Sequence, residues 1–116
     1  MKSPREYLAD FNNGMGKVSK TNSEHLSAFG KFVETTFKDG AIDVKKKELV
    51  AIGISVYSRC EYCIVGHAYN ALKAGLTKEE IMEAAMVAIA FGGGPSMAYT
   101  VTLLESSLEE FAKDFE

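Results

Sequence analysis

Start and stop signals for helices recur along this chain at regular intervals while strand signals are nearly absent, which restricts it to an all-α fold. Thr21 with Glu24 has the form of a capping box. Leu26, Phe29, Val33 and Phe37 follow at helical spacing, and Asp39-Gly40 supplies a stop, so a helix is predicted over about 22–38. Asp43 can cap the next helix, whose residues Leu49 to Val56 are apolar nearly all round and therefore read as buried. Ser58 with Glu61 offers a second box, predicting a helix that opens just before Cys60 and ends at Gly75. Thr77 with Glu80 repeats the device. The run Ile81 to Ala90 reads as a buried helix stopped at Phe91-Gly92-Gly93-Gly94. Pro95 suits the first turn of a last helix carrying Met97, Val101, Leu104, Leu108 and Phe111 along one side. A short helix around 4–11 completes a bundle of about six.

At 116 residues the chain is expected to form one domain, 1–116, small enough for subunit association to bury further apolar surface. A hydrophobic fraction of 47% and a charged fraction of 25% are ordinary for a globular protein. A net charge of −3 argues against nucleic-acid binding, and Lys45-Lys46-Lys47 is the one basic run, read as a solvated helix start. Gly53, Ser55 and the glycines at 92–94 interrupt the apolar stretches, so no membrane span is expected. The N-terminal residues lack the apolar core of a signal peptide, and the cytoplasm is the expected compartment. The triple glycine has neither the preceding strand nor the Gly-Lys-Ser/Thr of a phosphate loop, and reads instead as a place of close helix approach. Met82, Met86 and Met97 read as core or interface packing.

Two cysteines three residues apart point to redox or metal chemistry, since a structural disulfide would close a longer loop. On a helix, Cys60, Cys63 and His67 fall within an arc of roughly 60°, with the cysteine Cα atoms about 5 Å apart, inside the range a disulfide accepts. If Ser58 caps that helix, free N–H groups and the dipole favour a thiolate, and an imidazole one turn on can take the thiol proton. Glu48, in the preceding helix, is a candidate to orient His67 or relay its proton. Helix position favours Cys60 as the attacking sulfur, whereas proximity to His67 favours Cys63. Two rivals stand beside the redox reading: buried cysteines acting as small hydrophobes, and a zinc site with His67 and Glu48 as further ligands. Tyr57 and Tyr62 flank the pair and read as packing residues; His25 reads as solvated.

Glu48, Cys60-Glu-Tyr-Cys63 and His67, framed by Lys47-Glu48-Leu49 and Ala71-Leu72-Lys73-Ala74-Gly75, resemble the signature of alkylhydroperoxidase-D-like proteins of the carboxymuconolactone decarboxylase family. Phe91-Gly92-Gly93-Gly94-Pro95-Ser96-Met97 is similar to the family's short branch, and the resemblance covers roughly residues 20–105. It implies a compact all-helical domain whose subunits associate into a trimer or hexamer. It implies a thiol-dependent peroxidase or disulfide reductase with Cys60 and Cys63 as the dithiol, His67 as proton acceptor and Glu48 as relay acid. A small hydroperoxide or a partner protein's disulfide would be the substrate, an external thiol the reductant, and no cofactor is called for. Where the best-studied branch has a second histidine before the distal cysteine, this chain has Tyr62. The family's decarboxylases imply the alternative, a lyase acting on a small carboxylated lactone.

Overall fold

A computed structural model of the chain describes residues 2–116, and among these it is helical throughout, with no strand. Helix α1 runs Pro4–Thr36, α2 Val44–Ser58, α3 Glu61–Lys73, α4 Lys78–Gly92, α5 Gly94–Tyr99 and α6 Glu105–Phe111. A π-helical turn, Thr100–Leu104, fuses α5 to α6 into one continuous rod, and a 3₁₀ turn, Ala112–Phe115, closes the chain. The core is built where α2, α3, α4 and the C-terminal rod meet, around Ile52, Val56, Ile64, Val65, Ile81 and Phe111.

Local chemistry accounts for most boundaries. Asp43 accepts the backbone N–H of Lys46, and Thr77 with Glu80 forms a full capping box; each cap contributes about 1 kcal/mol. Gly75 takes φ +95° at the end of α3, and Gly93 takes φ +68° between α4 and α5, where Pro95 then opens the new helix.

Several expectations are corrected. The predicted helices over 4–11 and 22–38 are one run, α1, started by a capping box of Ser3 and Glu6 with Pro4 in the first turn. The Thr21 signal survives as a kink: Asn22 has φ −128° and ψ 39°, and the Thr21 hydroxyl turns back toward the Val18 carbonyl instead of capping. Ser58 likewise caps nothing. It ends α2 and donates to the Ser55 carbonyl, Arg59 takes the left-handed conformation at φ 57°, and Cys60 becomes the N-cap of α3.

The apolar helices are buried on one side only. Ile52 and Val56 of α2 are fully buried, whereas Ile54 is 63% exposed; Phe29 of α1 is 64% and Val87 of α4 is 64% exposed. The predicted stripe on the last helix is displaced in its first half. Met97 and Val101 face outward while Ser96, Thr100, Leu104 and Leu108 face the core at four-residue steps, a spacing that the wide π turn accommodates. Small hydroxyls inside the rod bond back to the preceding turn, Thr100 to Ser96 and Ser107 to Leu103.

Ser96 is the exception. Among the described residues its buried Oγ has no hydrogen-bond partner, and it lies 2.0 Å from where a Cβ on Gly92 would be, with Tyr57 Cδ1 3.3 Å from that same point. Ser96→Ala therefore raises stability by about 1 kcal/mol in chemical denaturation, because it deletes an unsatisfied hydroxyl. Gly92→Ala lowers it by about 1–3 kcal/mol by overpacking. In the double variant part of that loss is recovered, and strict additivity would refute the proposed clash.

Candidate active site

Cys60 and Cys63 are joined as a disulfide with Cα atoms 5.2 Å apart, close to the separation expected from helix spacing. The two sulfurs occupy different positions. Cys60 is half-buried at the N-cap, where its Sγ accepts the backbone N–H of Cys63 at 3.3 Å, doing with sulfur what Ser and Thr do with oxygen. Cys63 lies in the first turn of α3 and is exposed. The expectation that both cysteines lie inside the helix is thus corrected by one residue, because the α2–α3 junction is a single left-handed residue and leaves no room for a separate oxygen cap.

His67 follows one turn after Cys63 and lies against α2. Its Nδ1 is 2.8 Å from Oε1 of Glu48, which is buried at 4% exposure. A buried carboxylate fixed in this way holds the imidazole in one orientation and leaves Nε2 as the free ring nitrogen. The Phe37 ring stacks on His67 with centroids 5.6 Å apart and planes 22° off parallel, which restricts ring rotation further. His67 and Cys63 open onto one pocket of about 460 Å³, whose other walls include Phe37, Ile42, Val50, Ala51 and Ile54. Among the described residues His67 makes no hydrogen bond to either sulfur in this disulfide state; the pocket is what they share.

Lys47, the neighbour of Glu48, also shapes this pocket. Its Nζ donates to the carbonyl of Thr36 at 2.7 Å and to that of Lys38, tying the end of α1 and the loop after it to α2. The basic run read as solvated therefore has one structural member. Among the described residues no group of three or more His, Cys, Asp or Glu side chains is arranged to hold a metal.

The profile of the carboxymuconolactone decarboxylase family matches residues 23–106. The chain belongs to this family. Its relatives include an uncharacterized protein encoded in the cox locus of Paracoccus denitrificans, 34% identical over 85 residues that make up 73% of this chain and 77% of that one. Among solved structures, a family protein from Legionella pneumophila superposes with a TM-score of 0.89 at 34% identity, covering 94% of this chain and 96% of that one. A family protein from Thermotoga maritima, with a suggested involvement in an antioxidative response, gives a TM-score of 0.76 at 27% identity, covering 96% and 97%. The all-helical family architecture expected from the residues around the cysteines is therefore the one observed. Among the described residues, no helix is long and apolar enough to cross a membrane.

The structure brings together Glu48 with His67 and Cys60 with Cys63, the four residues singled out in the sequence. Two participants were missed there. Phe37 looked like one more member of a helix stripe, and Lys47 like one more lysine; their roles arise from the loop folding back over α2, which no local signal announces.

Proposed function

We propose that the chain is a thiol-dependent peroxidase or disulfide reductase in which Cys63 meets the substrate, Cys60 resolves, and His67 held by Glu48 handles the proton. The observation that carries this reading is that Cys63 and the Glu48-bound His67 open onto the same pocket. In the reduced protein, His67 Nε2 takes the Cys63 thiol proton and the thiolate attacks the terminal peroxide oxygen. The O–O bond breaks, the leaving alkoxide takes a proton from the imidazolium, and an alcohol departs. Cys60 then attacks the sulfenic sulfur, releasing water and closing the disulfide seen here. The dithiol loses two electrons and the peroxide gains them, so an external thiol must return them by exchange. A partner protein's disulfide would enter the same site by attack of Cys63 on sulfur.

The lyase alternative fits the pocket less well. Of the two lining residues that can carry positive charge, Lys47 is committed to backbone carbonyls and His67 is held by Glu48, so a lactone's carboxylate would find no free cation among the lining residues.

Thiol titration of the reduced protein before and after stoichiometric hydroperoxide tests the proposal, with metal determined on the same sample. The expected result is loss of both thiols, restored by dithiothreitol; unreactive thiols would move the assignment to the lyase, or, with one zinc per chain, to a metal site.

The protein is proposed to work as a homo-oligomer, a trimer or hexamer, in the cytoplasm. Support comes from Val50, Ile54, Val87 and Phe91, 55–80% exposed on adjoining faces of α2 and α4, more contiguous apolar surface than a small monomer normally leaves in water. Ile54→Glu is expected to shift the mass in light scattering to that of the monomer. An unchanged mass with native circular dichroism would remove this face from the interface.

A further inference from the structure

The two residues between the cysteines are seated on the start of α1. The Tyr7 hydroxyl donates to Oε2 of Glu61, the residue next to Cys60, and the Tyr7 ring meets Tyr62 edge-on with centroids 5.2 Å apart. Lys2 Nζ reaches the Tyr62 hydroxyl at 3.2 Å and Asp10 at 2.8 Å. Tyr7 is the one buried side chain of α1, at 5% exposure, and its turn is fixed independently of the cysteines. Arg5 bonds Glu110 and Asp114, each at 2.8 Å, and lies over the Phe111 ring. A buried hydroxyl whose single proton is committed to the carboxylate beside a dithiol is more than packing.

Accepting the dithiol reading above, we propose that Tyr7 is a positioning residue that sets the reactivity of the Cys60–Cys63 pair by tying the Glu61 carboxylate to α1. A carboxylate free to approach a thiolate disfavours it by like-charge repulsion, raising the thiol pKa and favouring the disulfide over the dithiol. The bond from Tyr7 fixes where that charge sits and spreads part of it onto the phenol. The reciprocal effect is on Tyr7 itself, whose hydroxyl is pushed up to about 12 by the bond to Glu61 and by burial. Among the described residues, the other charged or titratable groups around the pair are Arg59 before it, Tyr62 and His67 on α3, Lys2 just before α1, Asp10 on α1, and Glu48 on α2 through His67. Among the described residues, Glu61 is the one carboxylate that both adjoins a cysteine and is hydrogen-bonded by a buried partner.

The test compares the wild type, Tyr7→Phe, Glu61→Gln and the double variant by thiolate absorbance against pH and by redox equilibrium with glutathione. Tyr7→Phe is expected to raise the pKa of the more acidic thiol by at least about half a unit. It should also make the disulfide about threefold harder to reduce, roughly 14 mV at about 30 mV per tenfold change. Glu61→Gln should shift both readings the other way, and the double variant should match Glu61→Gln, since without the charge there is nothing for Tyr7 to control. A merely structural Tyr7 would lower the melting temperature and leave both readings at wild-type values in Tyr7→Phe, which overturns the proposal. A wild-type pair that does not cycle with glutathione sinks the dithiol reading and this proposal with it. A cycling pair indifferent to Tyr7→Phe sinks this proposal alone.

Discussion

Cys63→Ser is expected to lower peroxide turnover about 1,000-fold or more, while Cys60→Ser is expected to keep a single burst of peroxide consumption and then stall. The asymmetry follows from where the two sulfurs sit. Cys63 is exposed and opens onto the pocket with His67, so its replacement removes the proposed nucleophile, and a serine hydroxyl is no substitute at neutral pH. Cys60 is half-buried at the N-cap and accepts the Cys63 N–H, a place suited to stabilising a resolving thiolate. Its loss leaves Cys63 able to form a sulfenic acid with no neighbour to condense with. Mass spectrometry with a sulfenate trap reads the difference: an adduct on Cys63 in Cys60→Ser and none in the reciprocal variant. The opposite pattern would exchange the roles of the two cysteines, and full turnover in both variants would end the dithiol mechanism. Serine at position 60 keeps a cap acceptor, so the fold of α3 survives the test.

The composition of the site was readable because its members carry chemistry that few other arrangements explain. Cys60, Cys63 and His67 are linked by spacing alone, and local rules placed the Asp43 and Thr77 caps and the glycine stops correctly. What local rules misplaced was the junction at 58–60. Ser58 and Glu61 have the spacing of a capping box, yet α2 continues to Ser58, whose hydroxyl donates back to the Ser55 carbonyl, and Arg59 ends the helix in the left-handed conformation. The sulfur of Cys60 then takes over as the cap. A similar contest decided α1, where Thr21 bends a helix that Ser3, Pro4 and Glu6 had already begun. The burial of the apolar faces was overread for a different reason. Periodicity reports which face is apolar and cannot tell whether the covering partner belongs to the same chain; Phe29, Ile54 and Val87 are left exposed by the described residues. Phe37, Lys47 and Tyr7 act through contacts between distant segments, for which a single sequence holds no sign.

Glu48→Gln is the variant that separates proton handling from the sulfur chemistry, and it is expected to slow peroxide turnover about 10- to 100-fold with both thiols still titratable. Glutamine fills the same space and can still accept from Nδ1, so the ring keeps much of its placement. What disappears is the buried negative charge that favours an N–H at Nδ1, leaves Nε2 as the base, and stabilises the imidazolium formed when the thiol proton arrives. Glu48→Ala also leaves Nδ1 without its partner and opens a cavity beneath the half-buried ring, so it should cost about 1–3 kcal/mol of stability as well as activity. The decisive comparison is with His67→Ala. If Glu48 acts through His67, the double variant Glu48→Gln/His67→Ala is no slower than His67→Ala alone, and added imidazole restores more of the rate to His67→Ala than to the double variant, which lacks the carboxylate that holds the ring. Multiplicative losses would instead mean that Glu48 reaches the chemistry by a route that does not pass through the imidazole. Equal thiol reactivity toward a neutral alkylating agent in wild type and Glu48→Gln would mean that the carboxylate assists protonation of the leaving alkoxide rather than formation of the thiolate.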